Sequence, residues 1–438
     1  MAKQFFKTSL CLLTFIFLST SVYAVEFQPI GFEPLSMGGA GVAAARGGTA
    51  SYYNSALLLE NLYDTHIDFP VGGGIREINI TRHIDRLSEI GIDETIQNIK
   101  NNVFTFPGSN TIEDRNNISE IKNILRSVSA KNGLQLMPSA TLGIQMYNFG
   151  FGINGISEAS AYAVIDDQRL DLIIQDPLFG QYFEYNETTD MYTLSDANAY
   201  ALRSMEYALD NDLTYMKLTG LAYTEIFFSH ARKFKSAPGV LNLGASVKIM
   251  PGYAFDEKIN IDTKSGEIDS ELSDCGKSSI SWGIDLGALY KPPKIEKLAL
   301  GLVIKNLNTP QFKTKTGNTL ELKPQVRTGI SYNFWYDRIM LAIDADLTKN
   351  NTFIPGYESQ FIGGGLNFNP NKWLFLRAGV MRNIRDSEEG AIFTAGLGFG
   401  LEWLQLDIAG QMSSKKTSFD QEKIPNYARF LISLISKW

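Results

Sequence analysis

Cysteine is almost missing from this chain, with Cys11 and Cys275 its whole supply in 438 residues. Cys11 falls inside an N-terminal apolar run, so a single thiol is left and no internal disulfide can form. Histidine is as scarce, and His66, His83 and His230 lie in separate segments. No Cys/His cluster offers metal ligands, and no histidine stands with a nucleophile in a Ser-His-Asp pattern. The reading is therefore of a non-enzyme with no catalytic residue, no metal and no cofactor; only chemistry built on Asp and Glu alone stays open. A basic excess is missing too. Lys and Arg number 40 against 47 Asp and Glu, a formal charge of −7, whereas a nucleic-acid partner would call for a basic stripe. Past the N-terminus there is also no apolar run of the about 20 residues that a membrane helix needs.

What the N-terminus does have is an export signal. Lys3 and Lys7 precede an apolar run over residues 10–18, broken only by Thr14. Val22 and Ala24 then put small residues where a signal peptidase reads, so residues 1–24 form a secretory signal cleaved after Ala24. The apolar core is too short to anchor the chain as a helix. Losing Lys3 and Lys7 takes the formal charge from −7 to −9 for a mature chain starting at Val25. An exported chain without a membrane helix can cross a bilayer only as a closed barrel, because lipid offers no partner to an unpaired backbone group.

Period-two alternation supplies the barrel. Leu241, Leu243, Ala245, Val247 and Ile249 share a face opposite Asn242, Gly244, Ser246 and Lys248. Ile280, Trp282, Ile284 and Leu286 oppose Ser281, Gly283, Asp285 and Gly287. Phe393, Ala395, Leu397 and Phe399 oppose Thr394, Gly396, Gly398 and Gly400. The apolar faces persist for about ten residues, the length of a tilted membrane strand. The opposite faces are rich in small residues, which suits a lumen better than a solvated sheet. Trp335, Tyr336, Trp373, Trp403 and Trp438 lie near strand ends, as interfacial girdles do. The expected fold is all-β: a transmembrane antiparallel barrel of about fourteen strands over residues 61–438.

The connections alternate long and short from the first strand. Turns facing the periplasm are short and outer loops long, so both termini belong in the periplasm and the barrel in the outer membrane of a Gram-negative cell. The long connections 83–132 and 167–212 read as helical outer insertions. In the first, Ile118, Ile121, Leu125 and Val128 recur at helix spacing, and 84–100 behaves alike; 196–209 is Ala-rich. Inward faces carry the luminal charges Asp285, Asp344, Asp346, Arg377, Asp407 and Arg429, whose mixed signs suit structural ion pairs. In the last strand Phe430, Ile432, Leu434 and Trp438 share the outward face, a pattern for the barrel-assembly machinery to read.

Residues 25–60 do not alternate. They hold Gly38, Gly39 and Gly41, then Tyr52, Tyr53 and Asn54. The run lacks the Lys that would follow in a phosphate loop. Small residues allow close backbone packing in a confined space, so the segment is expected to plug the lumen. The stretch SMGGAGVAAARGGTASYYNSALL at 36–58 resembles the amino-terminal signature of FadL-type outer-membrane transport barrels, with Ser55 where that group has proline. LALGLVIKNL at 298–307 also resembles a recurring strand of the group. Within it, the length, the insertion after the first strand and the closing strand look most like the outer-membrane "conjugal transfer TraF" family. A thioredoxin-like TraF shares that name, but this chain has no CxxC pair.

The resemblance implies passive passage of hydrophobic small molecules through the barrel, past an N-terminal hatch and sideways into the membrane. Gly38, Gly39 and Gly41 would shape the hatch, and Tyr52, Tyr53 and Asn54 would lock it to the wall. The competing expectation is an accessory barrel for conjugation, secretion or surface assembly. Its long loops would bind a protein partner, and the same N-terminal residues would simply fill the lumen. Outer-membrane lipid and the assembly machinery are partners on either reading.

Overall fold

The computed structural model describes residues 25–61, 63–105, 112–176, 179–189, 191–235, 238–261, 275–401, 403–419 and 422–438. Residues 1–24, with the expected cleavage site at Ala24, lie outside the described residues.

Fourteen antiparallel strands close into one barrel. In chain order they are β1 Thr65–Ile78, then β2 in two pieces, Gly133–Leu136 and Ser139–Met146, β3 Phe149–Val164, β4 Tyr215–Lys235 and β5 Val240–Ile259. They continue as β6 Gly276–Lys291, β7 Leu298–Lys305, β8 Gln325–Phe334, β9 Ile339–Asp346 and β10 Phe361–Asn371. The last four are β11 Leu374–Asn383, β12 Ala391–Gly400, β13 Leu404–Ser413 and β14 Tyr427–Lys437. Each pairs with its chain neighbour, and β14 pairs with β1 from His66↔Lys437 to Arg76↔Tyr427. Thr65 and Trp438 exchange backbone hydrogen bonds of 3.1 and 3.0 Å at the seam. No strand edge is left open, which is what hydrocarbon demands of a spanning sheet.

The alternation of the sequence becomes two surfaces. Leu243, Val247 and Ile249 point outward and are exposed, while Asn242, Ser246 and Lys248 point inward and are buried. Phe393, Leu397 and Phe399 do the same against Thr394. In a soluble protein the exposed rows would be a liability; here they are the lipid-facing belt. Tyr147, Trp335, Tyr336, Trp373, Trp403 and Trp438 are all exposed at the end where the short turns and the C-terminus lie. Phe430, Ile432 and Leu434 continue that outward face along β14.

The other end carries the long loops. Helices Thr81–Ile90, Ile92–Thr105 and Ile112–Ser127 form the insertion after β1. Leu87, Ile92, Ile96, Ile99, Ile118, Ile121 and Leu125 pack into an apolar cluster with Met216 and Leu218 of β4 and Ile259 of β5. That cluster is why β4 and β5, at 21 and 20 residues, run well past the about ten residues a bilayer requires. The connection 167–212 departs from a purely helical insertion. A three-stranded sheet, Ile173–Gln175, Tyr182–Asn186 and Met191–Ser195, precedes two short helices, Ala197–Arg203 and Met205–Asp210. Strands this short leave too few residues for a period to show. In the cap, burial raises the Glu206 carboxyl above its usual range, and the Lys100 ammonium against it pulls the other way.

Replacing Phe430 and Trp438 together with Ala removes two large outward side chains and none of the lumen. Export should be unchanged, and the fraction of heat-modifiable, membrane-inserted barrel should fall several-fold on semi-native gels. Full insertion of the double variant would show that this face carries no assembly signal.

Candidate functional site

The inward polar faces of the barrel meet a buried partner, residues 25–60. The segment runs through a short helix Phe32–Ser36, a 3-10 turn Gly47–Thr49, a helical turn Ala50–Tyr53 and a 3-10 stretch Ser55–Glu60. Nearly every residue from Val25 to Leu58 is buried.

Small residues on both partners set how closely it docks. Gly38 has φ +65°, and a side chain at Gly363 of β10 would put its Cβ 2.0 Å from the Gly38 carbonyl oxygen. The Gly48 backbone meets Gly143 of β2 in the same way, with 2.1 Å left for a Cβ. These are backbone-to-backbone contacts that no larger residue permits.

Hydrogen bonds then hold the segment to strands around the barrel. Asp344 Oδ2 on β9 accepts from the backbone N–H groups of Gly41 at 2.8 Å and Val42 at 2.9 Å. Thr394 on β12 accepts from Gly38 N–H and donates to the Ser36 carbonyl, both at 2.9 Å. Ser331 donates to the Ala43 carbonyl at 2.8 Å, and Gln411 to that of Leu35 at 2.8 Å. Asn54 Nδ2 donates to Ala288 of β6 at 3.0 Å and to Val42 at 2.9 Å. Asp68 on β1 accepts from Thr49 N–H at 3.0 Å.

Tyr52 and Tyr53 act differently from Asn54. Tyr53 packs within the segment against Gly31 and Gly41, and Tyr52 donates to the Gln28 carbonyl at 2.9 Å. The Lys305 ammonium of β7 sits 3.2 Å from the Tyr52 ring centre. Arg327 covers the Phe27 ring at 4.3 Å and Arg377 that of Phe32 at 4.6 Å. Gly39, at φ +79°, faces Met381 and Arg327.

All six luminal charges are buried. Arg377 pairs with Asp407 at 2.6 Å, Arg327 with Asp346 at 2.8 Å, and Lys248 with Asp285 at 3.0 Å. Arg429 donates instead to Gln28 Oε1 at 3.2 Å and Ser139 Oγ at 3.1 Å.

Nearer the long loops lies a network that sequence patterning misses. Arg76 of β1, wholly buried, pairs with Glu26 at 3.0 Å and Glu389 at 2.6 Å and contacts Gln135. Its guanidinium lies between the rings of Tyr357 and Tyr427, 4.7 and 5.2 Å from their centres. Glu389 and Tyr357 come from separate loops at the long-loop end, and Tyr357 donates to Glu389 at 2.5 Å. The network thus fastens two loops, a strand and the N-terminal segment at one point. A buried pair broken on one side typically costs about 3–5 kcal/mol.

The wall itself has an irregularity at Pro138, which interrupts β2. On the lipid side of this point an open groove of about 940 Å³ crosses β1 to β6. Val71, Pro138, Ala140, Gly155, Ala222 and Ile280 are among its lining residues. Two sequence signals mark the place: proline inside an alternating strand, and Gly72, Gly73 and Gly74 in succession on the paired strand.

Residues 52–346 match the family described as "F plasmid transfer operon, TraF, protein". The chain belongs to this family. The barrel of this TraF-family chain also aligns with solved structures. The Ralstonia pickettii toluene transporter TbuX aligns with TM-score 0.48 at 13% identity, over 94% of this chain and 100% of that one. For the Pseudomonas putida toluene transporter TodX the values are 0.43 and 12%, over 95% and 98%. For a Pseudomonas aeruginosa FadL homologue they are 0.47 and 12%, over 95% and 100%. No curated protein matches the chain.

Gly363→Val should expel the segment while the barrel persists. Limited proteolysis in detergent should then cut between residues 36 and 48, a region protected in the parent. Asp344→Ala leaves two buried N–H groups unpaired and should lower unfolding stability by about 1–3 kcal/mol for each. Protection unchanged in Gly363→Val would contradict the docking.

Proposed function

We propose that this chain is an outer-membrane barrel through which hydrophobic small molecules pass without an energy source, with residues 25–60 as the hatch. The short-turn end, with both termini, would face the periplasm, and the capped end the outside. The observation that carries the reading is the wall at Pro138. A hydrogen-bonded segment closes it from the lumen, and an apolar-lined groove adjoins it on the lipid face. A molecule that displaces the segment could therefore leave sideways into the bilayer. The relatives named as toluene transporters agree in kind with such a route.

A second reading has its own support. Phe179, Met191, Leu194 and Leu202 are exposed on the outer cap, well away from the lipid belt. A protein partner in conjugation or secretion could dock there, with the lumen staying plugged.

Uptake separates the two. Purified protein would be placed in vesicles with a lipopolysaccharide outer leaflet, and entry of fatty acids and aromatic hydrocarbons measured for the full chain, for a deletion of 25–60 and for Gly363→Val. The transport reading expects saturable entry with the full chain and altered entry in both variants. No binding and no entry with any of the three would overturn it.

A further inference from the structure

In an antiparallel ladder a hydrogen-bonded residue pair exchanges two bonds, one in each direction. At the break in β2, Ser157 of β3 donates its N–H to the Pro138 carbonyl at 3.1 Å. The return bond, from residue 138 to the Ser157 carbonyl, cannot form because proline has no N–H. On the other side the pairing is intact: Gly74 and Met137 exchange bonds of 3.1 and 2.8 Å. The wall therefore lacks one donor, and it lacks it at the Ser157 carbonyl.

That donor is supplied from the lumen. Gln28 of the N-terminal segment donates through Nε2 to the Ser157 carbonyl at 3.2 Å. Gln28 is wholly buried and fixed on three sides. Its Oε1 accepts from Arg429 at 3.2 Å, Arg429 also reaches Ser139 at 3.1 Å, and its carbonyl accepts from Tyr52 at 2.9 Å. Arg429 keeps Nε and Nη1 without hydrogen-bond partners among the described residues. A charge otherwise so poorly satisfied gives the Gln28 amide an orientation, with oxygen toward Arg429 and nitrogen toward Ser157.

The residues on either side suit an opening. Ala140 pairs with Gly155 across β2 and β3 on the outward face beside Pro138, so the joint is flanked by short side chains on the lipid side. On the other flank are Gly72, Gly73 and Gly74, the least stiff stretch a strand can have. The lipid-side groove lies over this joint, lined by Pro138, Ser139, Ala140, Gly155, Ile156 and Ser157 from the two strands.

We propose that Gln28 is a latch that completes the β2–β3 ladder at Pro138, so that withdrawal of the hatch and opening of the wall are one event. Apolar molecules would leave through that joint, a step that rests on the transport reading above. Gln28 is a positioning residue here, acting on the wall and not on the ligand.

The experiment combines backbone exchange with release into lipid. The variants are Gln28→Ala, Gln28→Glu, Pro138→Ala and the pair Gln28→Ala with Pro138→Ala. Gln28→Glu keeps a partner for Arg429 but has no donor for Ser157, so it guards against a hatch that merely unfolds. Amide exchange of residues 155–159 in the full-length barrel should rise about 3- to 10-fold in both Gln28 variants, the worth of one hydrogen bond. Pro138→Ala restores a strand N–H, and adding Gln28→Ala to it should then change nothing. Entry of N-phenyl-1-naphthylamine into lipopolysaccharide-coated vesicles should rise with the Gln28 variants and fall with Pro138→Ala. Exchange unaltered by Gln28→Ala, or altered equally in both backgrounds, would overturn the latch. Exchange that follows the latch while no probe enters in any variant would uphold the latch and overturn the lateral exit.

Discussion

A bilayer leaves no water to satisfy a backbone or side-chain polar group, and the architecture of this chain follows from that constraint. Closing the sheet satisfies the strands, but it turns one polar face of every strand into a confined space. Asp344, Thr394, Gln411 and Ser331 each form a hydrogen bond with the backbone of residues 35–43. The N-terminal segment is thus as much a part of the barrel's hydrogen bonding as its strands are. Its backbone donors and carbonyls stand where water would stand in a soluble protein.

The same logic explains why charge concentrates inside. Arg76, Arg327, Arg377 and Lys248 each meet a carboxylate within the lumen, and three lumen-facing cations also lie against aromatic rings of the segment. These contacts discriminate more than they stabilise, because a buried ion pair must first recover the cost of leaving water. A segment with the wrong register would strand several charges at once. The Arg76 network extends that discrimination to the long loops through Tyr357 and Glu389.

The barrel is legible in the sequence because its signal is periodic and repeated. Rows such as Leu241, Leu243 and Val247 keep period two for long enough to be seen, and the short turns between strands fix their direction. The loops are not legible in that way. The strands Tyr182–Asn186 and Met191–Ser195 are stabilised by each other and by Tyr185 against Tyr192, rings 5.2 Å apart, not by any pattern within one segment. The candidate site is legible only in part. A glycine run such as 38–41 signals a close approach, but its counterparts Gly363 and Gly365 look like ordinary strand glycines until the fold brings them together. Gln28 and Pro138 lie 110 positions apart, and neither residue type reveals that one repairs what the other removes.

The central claim is that the N-terminal segment fills a closed barrel through contacts with its wall. Single-channel conductance in a planar bilayer tests it most directly. The intact chain should give no steady ion current, and Gly363→Val, which denies Gly38 its seat, should give a large and steady one. A stable, wide conductance from the intact chain would contradict the account.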